Sequence, residues 1–524
     1  WEQTPKTSTI RGVNIQLDAD DDFHIRNGSG FFSRSIKNNH PWVKADLELD
    51  SFDLNYLNKL QELVALPPKV NEALNALNPK GKLNNLSISL QGNPNQPNRY
   101  TIESTFQSLS IAPYQNMPGF SNISGEIKAN EDSGTVILAT SGASVDLKDT
   151  FRWPVPLDTL KGKVSWTKNK EKIKITANHI TIANPHIKGE LNGHYDLNGI
   201  KGGYLDLTGQ FEDGDTKFAP FYYPAVMGEE TIRWLDSAIV SGKANNIKIM
   251  IKGSLGDFPF IDENNQPDSA LGFFKVTARI SDAILVYDND WPKIEGLGLN
   301  LSFVGNSMEL NADAGKIYDI NITQGKAIIP QLYTNGAIGQ VLNIDGTGEG
   351  PISSGIQFIN NSPVKDVALG FTDDLKTAGN GKLKLKLSLP LNKVNNSEYS
   401  GEYSLRNGAI YANQRLGLPE ISNINGNLSF DASGIYAPKI SGNTLGGPVQ
   451  LSLKTTESKA ITINASGTAS GKGVQQFITN PLTIALSGNT NWSAGISIKK
   501  TLMNMDVRSI CKVWLFNYLH RLEN

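Results

Sequence analysis

The sequence predicts a mainly β chain: a long, twisted antiparallel sheet with one apolar face, built of repeated units, with a few short helices. Three observations predict it. Apolar residues recur at every second position, most plainly as Leu383, Leu385, Leu387 and Leu389 between Lys384, Lys386 and Ser388. Period two puts each such set on one face of a strand. The 49 glycines, with many Asn and Ser, supply the turns that numerous short strands need. The strand pattern also runs on for hundreds of residues without a linker. The same alternation fits the inner faces of packed sandwiches, although such domains usually show regular boundaries.

Composition narrows the classes. Of the 524 residues, 39% are hydrophobic and 19% charged, too apolar for a disordered chain. A net charge of −2 gives no electrostatic hold on nucleic acid. The single cysteine, Cys511, excludes a disulfide within the chain and a Cys-rich metal site. No apolar run approaches the eighteen or so residues that span a bilayer. The chain opens at Trp1 without Met, which reads as an internal fragment separated from an export or anchor segment.

In chain order, residues 1–99 read as a β segment with a helix pair. Leu54, Leu57, Leu60, Leu63 and Val64 have helical spacing before Pro67-Pro68, and a second helix runs from Val70 to Leu77. Residues 100–216 read as groove repeats. Residues 217–304 hold one well-formed helix, expected over 228–241. Glu229 and Glu230 favour the positive end of its dipole, and Ile232, Leu235 and Ile239 form its packing face. Gly242 stands at the expected C-terminal cap. Strands follow with Ile247, Ile249 and Ile251, then, after the turn Asp290-Trp291-Pro292, Leu297, Leu299 and Leu301. Residues 305–500 return to groove repeats, with strands at Val449–Leu453, Ile461–Ile463 and Leu482–Leu486 and a helical patch at Val474–Ile478. Residues 501–524 are atypical: the Gly/Asn turns vanish, and Val507, Ile510, Trp514 and Tyr518 fit a helix face or an artefactual end.

A loose internal repeat supports a reused β unit. With Pro118, Val155, Pro292 and Pro419 as zero, position +5 is Ile123, Leu160, Leu297 and Ile424, and position +9 is Ile127, Val164, Leu301 and Leu428. Position +7 is Gly125, Gly162, Leu299 and Gly426. The separations exclude a strict solenoid.

Constellations for catalysis are lacking. The six histidines form no metal-binding pair, and His179 and His186 read as solvated positions near strand ends. The cluster Asp18, Asp20, Asp21 and Asp22 lacks the glycine and distal glutamate of a calcium loop. Gly346, Gly348 and Gly350 resemble a nucleotide-binding loop, but Pro351 and Ser353-Ser354-Gly355 read as leading into another strand, so no helix start cradles a phosphate. No Gly-x-Ser-x-Gly elbow has plausible partners. The chain reads as a non-enzyme without cofactor or metal.

Residues 217–304 resemble the core of the YhdP-type AsmA-like proteins of Gram-negative envelopes. The resemblance rests on Phe221-Tyr222-Tyr223-Pro224, Arg233-Trp234-Leu235, Asp257-Phe258-Pro259-Phe260, Val286-Tyr287 and Trp291-Pro292. Asn78-Pro79-Lys80-Gly81, Asn361-Ser362-Pro363, Leu389-Pro390-Leu391 and Leu445-Gly446-Gly447-Pro448 extend it, in order, over roughly residues 10–500. It implies a long β-groove anchored at the inner membrane and crossing the periplasm, with phospholipids as partners moving toward the outer membrane. Ile247, Ile249, Ile251, Leu297, Leu299, Leu301, Leu383, Leu385, Leu387 and Leu389 are then expected to line the groove. A two-chain phospholipid carries about thirty methylenes, and at about 0.8 kcal/mol each its exposure to water costs on the order of 25 kcal/mol. An apolar trough removes most of that cost. The other readings are a structural or regulatory envelope scaffold that moves no lipid, and an enzyme on a β-helix, for which the sequence lacks regular coils and a charged cluster.

Overall fold

The computed structural model describes residues 1–510 apart from 5–6, 20–22, 38–39, 58, 60–67, 94–95, 115–116, 148–149, 171, 198–201, 333–339, 369–371, 392–395, 413–416, 479, 481–482, 484–485 and 500–501. The fold is mainly β: a long antiparallel sheet of 27 strands, not closed into a barrel, with few short helices. It divides into two compact units, one of Trp1–Ile232, Lys243–Arg279 and Ser302–Asn306, the other of Arg233–Gly242, Ile280–Leu301 and Ser307–Asn524.

The strands up to residue 254 are β1 (Glu2–Gln3), β2 (Thr7–Ala19), β3 (Phe23–Lys37), β4 (His40–Asp53), β5 (Lys80–Asn93), β6 (Gln96–Ile111), β7 (Gly119–Asn130), β8 (Ser133–Asp146), β9 (Val155–Asn169), β10 (Lys172–Ala183), β11 (Lys188–Leu197), β12 (Tyr204–Glu212), β13 (Gly214–Asp215) and β14 (Ile239–Ser254). Each pairs with its neighbour in sequence, except that β12 and β13 both pair with β14. The rest are β15 (Gly272–Leu285), β16 (Ile294–Val304), β17 (Ser307–Ile317), β18 (Ile320–Ile329), β19 (Val341–Pro351), β20 (Thr377–Pro390), β21 (Glu398–Ile410), β22 (Ile421–Asp431), β23 (Gly434–Thr444), β24 (Gly447–Thr455), β25 (Ile461–Ser470), β26 (Asn489–Lys499) and β27 (Leu502–Ile510). From β17 to β27 the pairing is again sequential.

A left-handed residue recurs inside strand after strand. Asn85, Ser108, Asn122, His179, Asn407 and Asn423 have φ between 47° and 58°. At each of them the pairing register shifts, as between Phe106 and Leu109 in β6 or Leu405 and Gly408 in β21. These are β-bulges, which bend a strand and increase its twist. Asn is among the residues that tolerate this backbone. The N–H freed from the ladder finds a polar side chain on an adjacent strand: Asn122 N–H donates to Ser110 Oγ at 3.0 Å, and His179 N–H to Asn192 Oδ1 at 2.8 Å. In three of the four copies of the repeat seen in the sequence, the residue four after the zero position is left-handed: Asn122, Gly296 and Asn423, with φ of 58°, 58° and 50°, but not Thr159.

Apolar side chains of successive strands pack into one cluster in the first unit: Phe106 on β6, Ile123 on β7, Ala143 on β8, Leu157 and Leu160 on β9 and Ile180 on β10.

Among the described residues five helices interrupt the strands: α1 (Pro68–Leu77), α2 (Glu229–Ala238), α3 (Ile352–Asn360), α4 (Val364–Ala368) and α5 (Gly471–Phe477). Pro68 opens α1, where its missing N–H costs nothing. The expected helix from Leu54 begins as a 3-10 turn over Leu54–Tyr56 and otherwise falls largely outside the described residues.

Several expectations are corrected. Helix α2 ends at Ala238, whose carbonyl accepts from Val286 N–H at 2.8 Å, so Ile239 opens β14 and Gly242 lies in that strand rather than at a cap. The β-branched pair Ile239-Val240 favours the strand. A helix does follow the glycines of β19: α3 begins at Ile352, directly after Pro351. Helical structure also extends to α4 and to a 3-10 segment, Thr216–Tyr222. His186 is buried at 6% exposure, not solvated, whereas His179 is exposed as expected, at a bulge within β10. Val507 and Ile510 belong to β27, paired on β26, not to a helix. Leu486 lies outside any strand. Asp20–Asp22, Leu482, Ile484, Trp514 and Tyr518 are outside the described residues.

Candidate functional site

The registers convert period two into continuous rows. In the first unit, Ile127, Val136, Val164, Ala177, Gly193, Leu207 and Ile251 are successive cross-strand partners from β7 to β14. A second row, Leu47, Ile88, Ile102, Ala129, Gly134, Trp166, Ile175, Tyr195, Leu205 and Gly253, runs alongside from β4 to β14. Between them lies a polar row on the opposite face: Glu103, Lys128, Thr135, Ser165, Thr176, His194, Asp206 and Lys252. Lys128 meets Glu103 at 3.0 Å and Lys252 meets Asp206 at 3.3 Å. Such exposed pairs add little stability; they fix which face is wet.

The apolar face of this unit is partly open. Ile127, Val136, Val164, Ile175, Leu205, Leu207, Ile249 and Ile251 are half-buried, and Ile247 is buried. Toward β2–β4 the face opens further, with Ile10, Phe32 and Leu47 exposed.

One end of β9–β11 carries an aromatic cluster. His186 stacks on Phe218 with ring centres 4.0 Å apart, and its Nδ1 lies 3.3 Å from Tyr222 Oη. Arg152 lies over the Trp153 ring and donates to Pro220 O. Burial lowers the His186 pKa, against the pull of Asp158 and Asp215, which raise it. Sequence reading missed this cluster because its members come from three separate loops.

In the second unit the rows are Leu310, Ala327, Ile344, Leu387 and Tyr399, and Ala312, Gly325, Gly346, Leu385, Gly401, Phe430 and Ile435. Leu383, Leu385, Leu387 and Leu389 share this face and are buried, at 8%, 8%, 4% and 1% exposure. α3 covers them. Phe358 packs against Trp291, which also meets Tyr399, and Tyr403 lies against Gly355. Burial pushes the Tyr403 hydroxyl up to about 12. Ser354 Oγ donates to Asp319 Oδ2 at 3.4 Å, so a carboxylate already faces the start of α3, where a phosphate would otherwise sit. Leu297 and Leu299 are buried and Leu301 half-buried on β16. Of the helix residues, Leu235 is buried, Ile232 half-buried, and Trp234 Nε1 donates to Tyr287 O at 2.9 Å.

A depression of about 630 Å3 in this unit lies instead among Asp345, Lys384, Lys386, Glu402 and Asp431, on the polar side. Its charges are paired, Lys384 with Glu402 and Lys386 with Asp345. It lies among these charges, and Gly401, Phe430 and Ile435 of the second apolar row also line it. Among the described residues no His, Cys, Asp and Glu group is placed to hold a metal, and no helix is long and apolar enough to cross a membrane.

The YhdP protein family matches residues 14–512. Over 460 residues the chain is 22% identical to the intermembrane phospholipid transporter YhdP of Escherichia coli (strain K12), covering 86% of this chain and 35% of that protein. The chain thus spans about a third of that relative's length. No solved structure matches.

Proposed function

Because this chain belongs to the YhdP protein family, we propose that it is a stretch of a non-enzymatic conduit that carries phospholipids across the periplasm from inner to outer membrane and so supports the outer membrane's barrier. The relative's description as an intermembrane phospholipid transporter supports the reading. In the whole protein, an anchor outside this stretch holds the conduit at the inner membrane. The observation that carries the proposal is the partly open apolar row from Ile127 to Ile251, backed by a charged row on the other face.

Acyl chains lie along such a row while the headgroup stays in water at the open side. Aliphatic lining without polar pockets holds no position tightly, which suits sliding. Of the expected lining residues, the half-buried Ile249, Ile251 and Leu301 serve this role, each within its own unit, while Ile247, Leu297, Leu299, Leu383, Leu385, Leu387 and Leu389 are buried. Ile175→Lys in the intact parent protein tests it. Ile175 is half-buried, and a lysine there snorkels to water, so the fold survives. Cells relying on the variant become detergent-sensitive if the row conducts lipid. A folded variant with a normal barrier counts against conduction.

A further inference from the structure

In the second unit the apolar rows already have an occupant. α3 turns Ile352, Gly355 and Phe358 onto β19–β21, all of them buried, and α4 adds Val364 and Ala368 at 1% exposure. The fit is tight and apolar. A Cβ on Gly355 would lie 2.5 Å from Tyr403 Oη, and one on Gly408 would lie 2.7 Å from the Ile352 side chain. Yet the Tyr403 hydroxyl is enclosed there without a hydrogen-bond partner among the described residues. A hydroxyl left unpaired in an apolar site is unfavourable, and a permanent core position is better filled by phenylalanine. The first unit's matching face, by contrast, has its lining half-buried and carries no such cover over Ile175, Leu205 and Leu207 among the described residues.

We propose that α3 and α4 occupy an acyl-chain site on β19–β23 and yield it to a phospholipid, whose ester oxygen accepts from the Tyr403 hydroxyl once the helices lift. The site rests on the conduit reading and adds a gate to it. The lifted state exposes Leu383, Leu385, Leu387 and Leu389, which otherwise have no access to lipid. Besides its apolar packing, α3 is tied to the sheet by one replaceable polar contact, Ser354 Oγ on Asp319 Oδ2.

The test locks that contact. In the intact parent protein, with Cys511→Ser, Asp319→Cys and Ser354→Cys are joined by a disulfide. Photo-leucine, close to the native side chain, is placed at Leu385 or at Ile175. Mass spectrometry then identifies the cellular phospholipid captured after illumination. The proposal expects capture at both positions in the reduced protein, and loss at Leu385 alone after oxidation, with Tyr403→Phe reducing capture at Leu385 only. Equal capture at Leu385 in the locked protein overturns it. So does capture at Ile175 with none at Leu385 in the reduced state, which leaves the conduit reading standing. Absence of capture at both removes the conduit reading and the gate together.

Discussion

The backbone N–H of Asn407 donates to Asn425 Oδ1 on the neighbouring strand at 3.0 Å. Asn407 has a φ of 47°, and its amide has left the ladder at the bulge between Leu405 and Gly408. The bend is therefore stabilised by one strand's backbone and the next strand's side chain together. Asn425→Leu removes the acceptor of this exposed bond, at a cost of about 0.5–1.5 kcal/mol. Asn407→Gly is nearly neutral, since glycine accepts the backbone freely, while Asn407→Val is worse than either. Urea unfolding of the three variants gives the ranking.

Glycines on one apolar row differ in what they touch. A Cβ on Gly401 would lie 2.3 Å from the Phe430 ring, whereas at Gly346, two strands away, nothing lies within 4 Å. Gly401→Ala is expected to cost about 1–3 kcal/mol through overpacking. Gly346→Ala stays within about 0.5 kcal/mol of the parent. Thermal melts of the two variants separate them.

His186 makes stability depend on pH. Burial lowers its pKa below the ordinary histidine value of 6.5, so the folded state holds the neutral ring and the unfolded state binds the proton first. Stability is full above about pH 6.5 and falls as the pH drops from there through the lowered folded value. His186→Phe removes this part of the acid sensitivity. A melting temperature that falls equally in parent and variant between pH 7 and 5 would contradict it.

Lysine scanning reads the two apolar faces. Leu385→Lys, beneath α3 at 8% exposure, is expected to cost about 3–5 kcal/mol, because a charge enters a covered site without a partner. Ile249→Lys, half-buried on β14, loses about 1–2 kcal/mol of burial and keeps its fold. Denaturation midpoints of both variants test the contrast.

The fold class was legible because each residue in a strand such as β20 announces its face: leucine in, lysine out. The pairing rows follow once successive strands are antiparallel. The bulges were not legible, because Asn122 or Asn407 reads like any turn residue and the register shift depends on the neighbouring strand. α3 was missed for a physical reason. Ser353, Ser354 and Gly355 are poor helix formers, and the helix persists through Ile352 and Phe358 packing on the sheet. The end of α2 was misplaced because Val286, 48 residues away in sequence, captures the carbonyl of Ala238.

Ile251 and Lys252 stand side by side on β14 and face opposite ways, one toward the apolar row and one paired with Asp206. A diazirine side chain at each position in the intact parent protein, illuminated in cells and read by mass spectrometry, tests the central claim most directly. The account expects phospholipid joined to position 251 and none above background at position 252. Equal capture at both, or none at 251 in a folded protein, would contradict it.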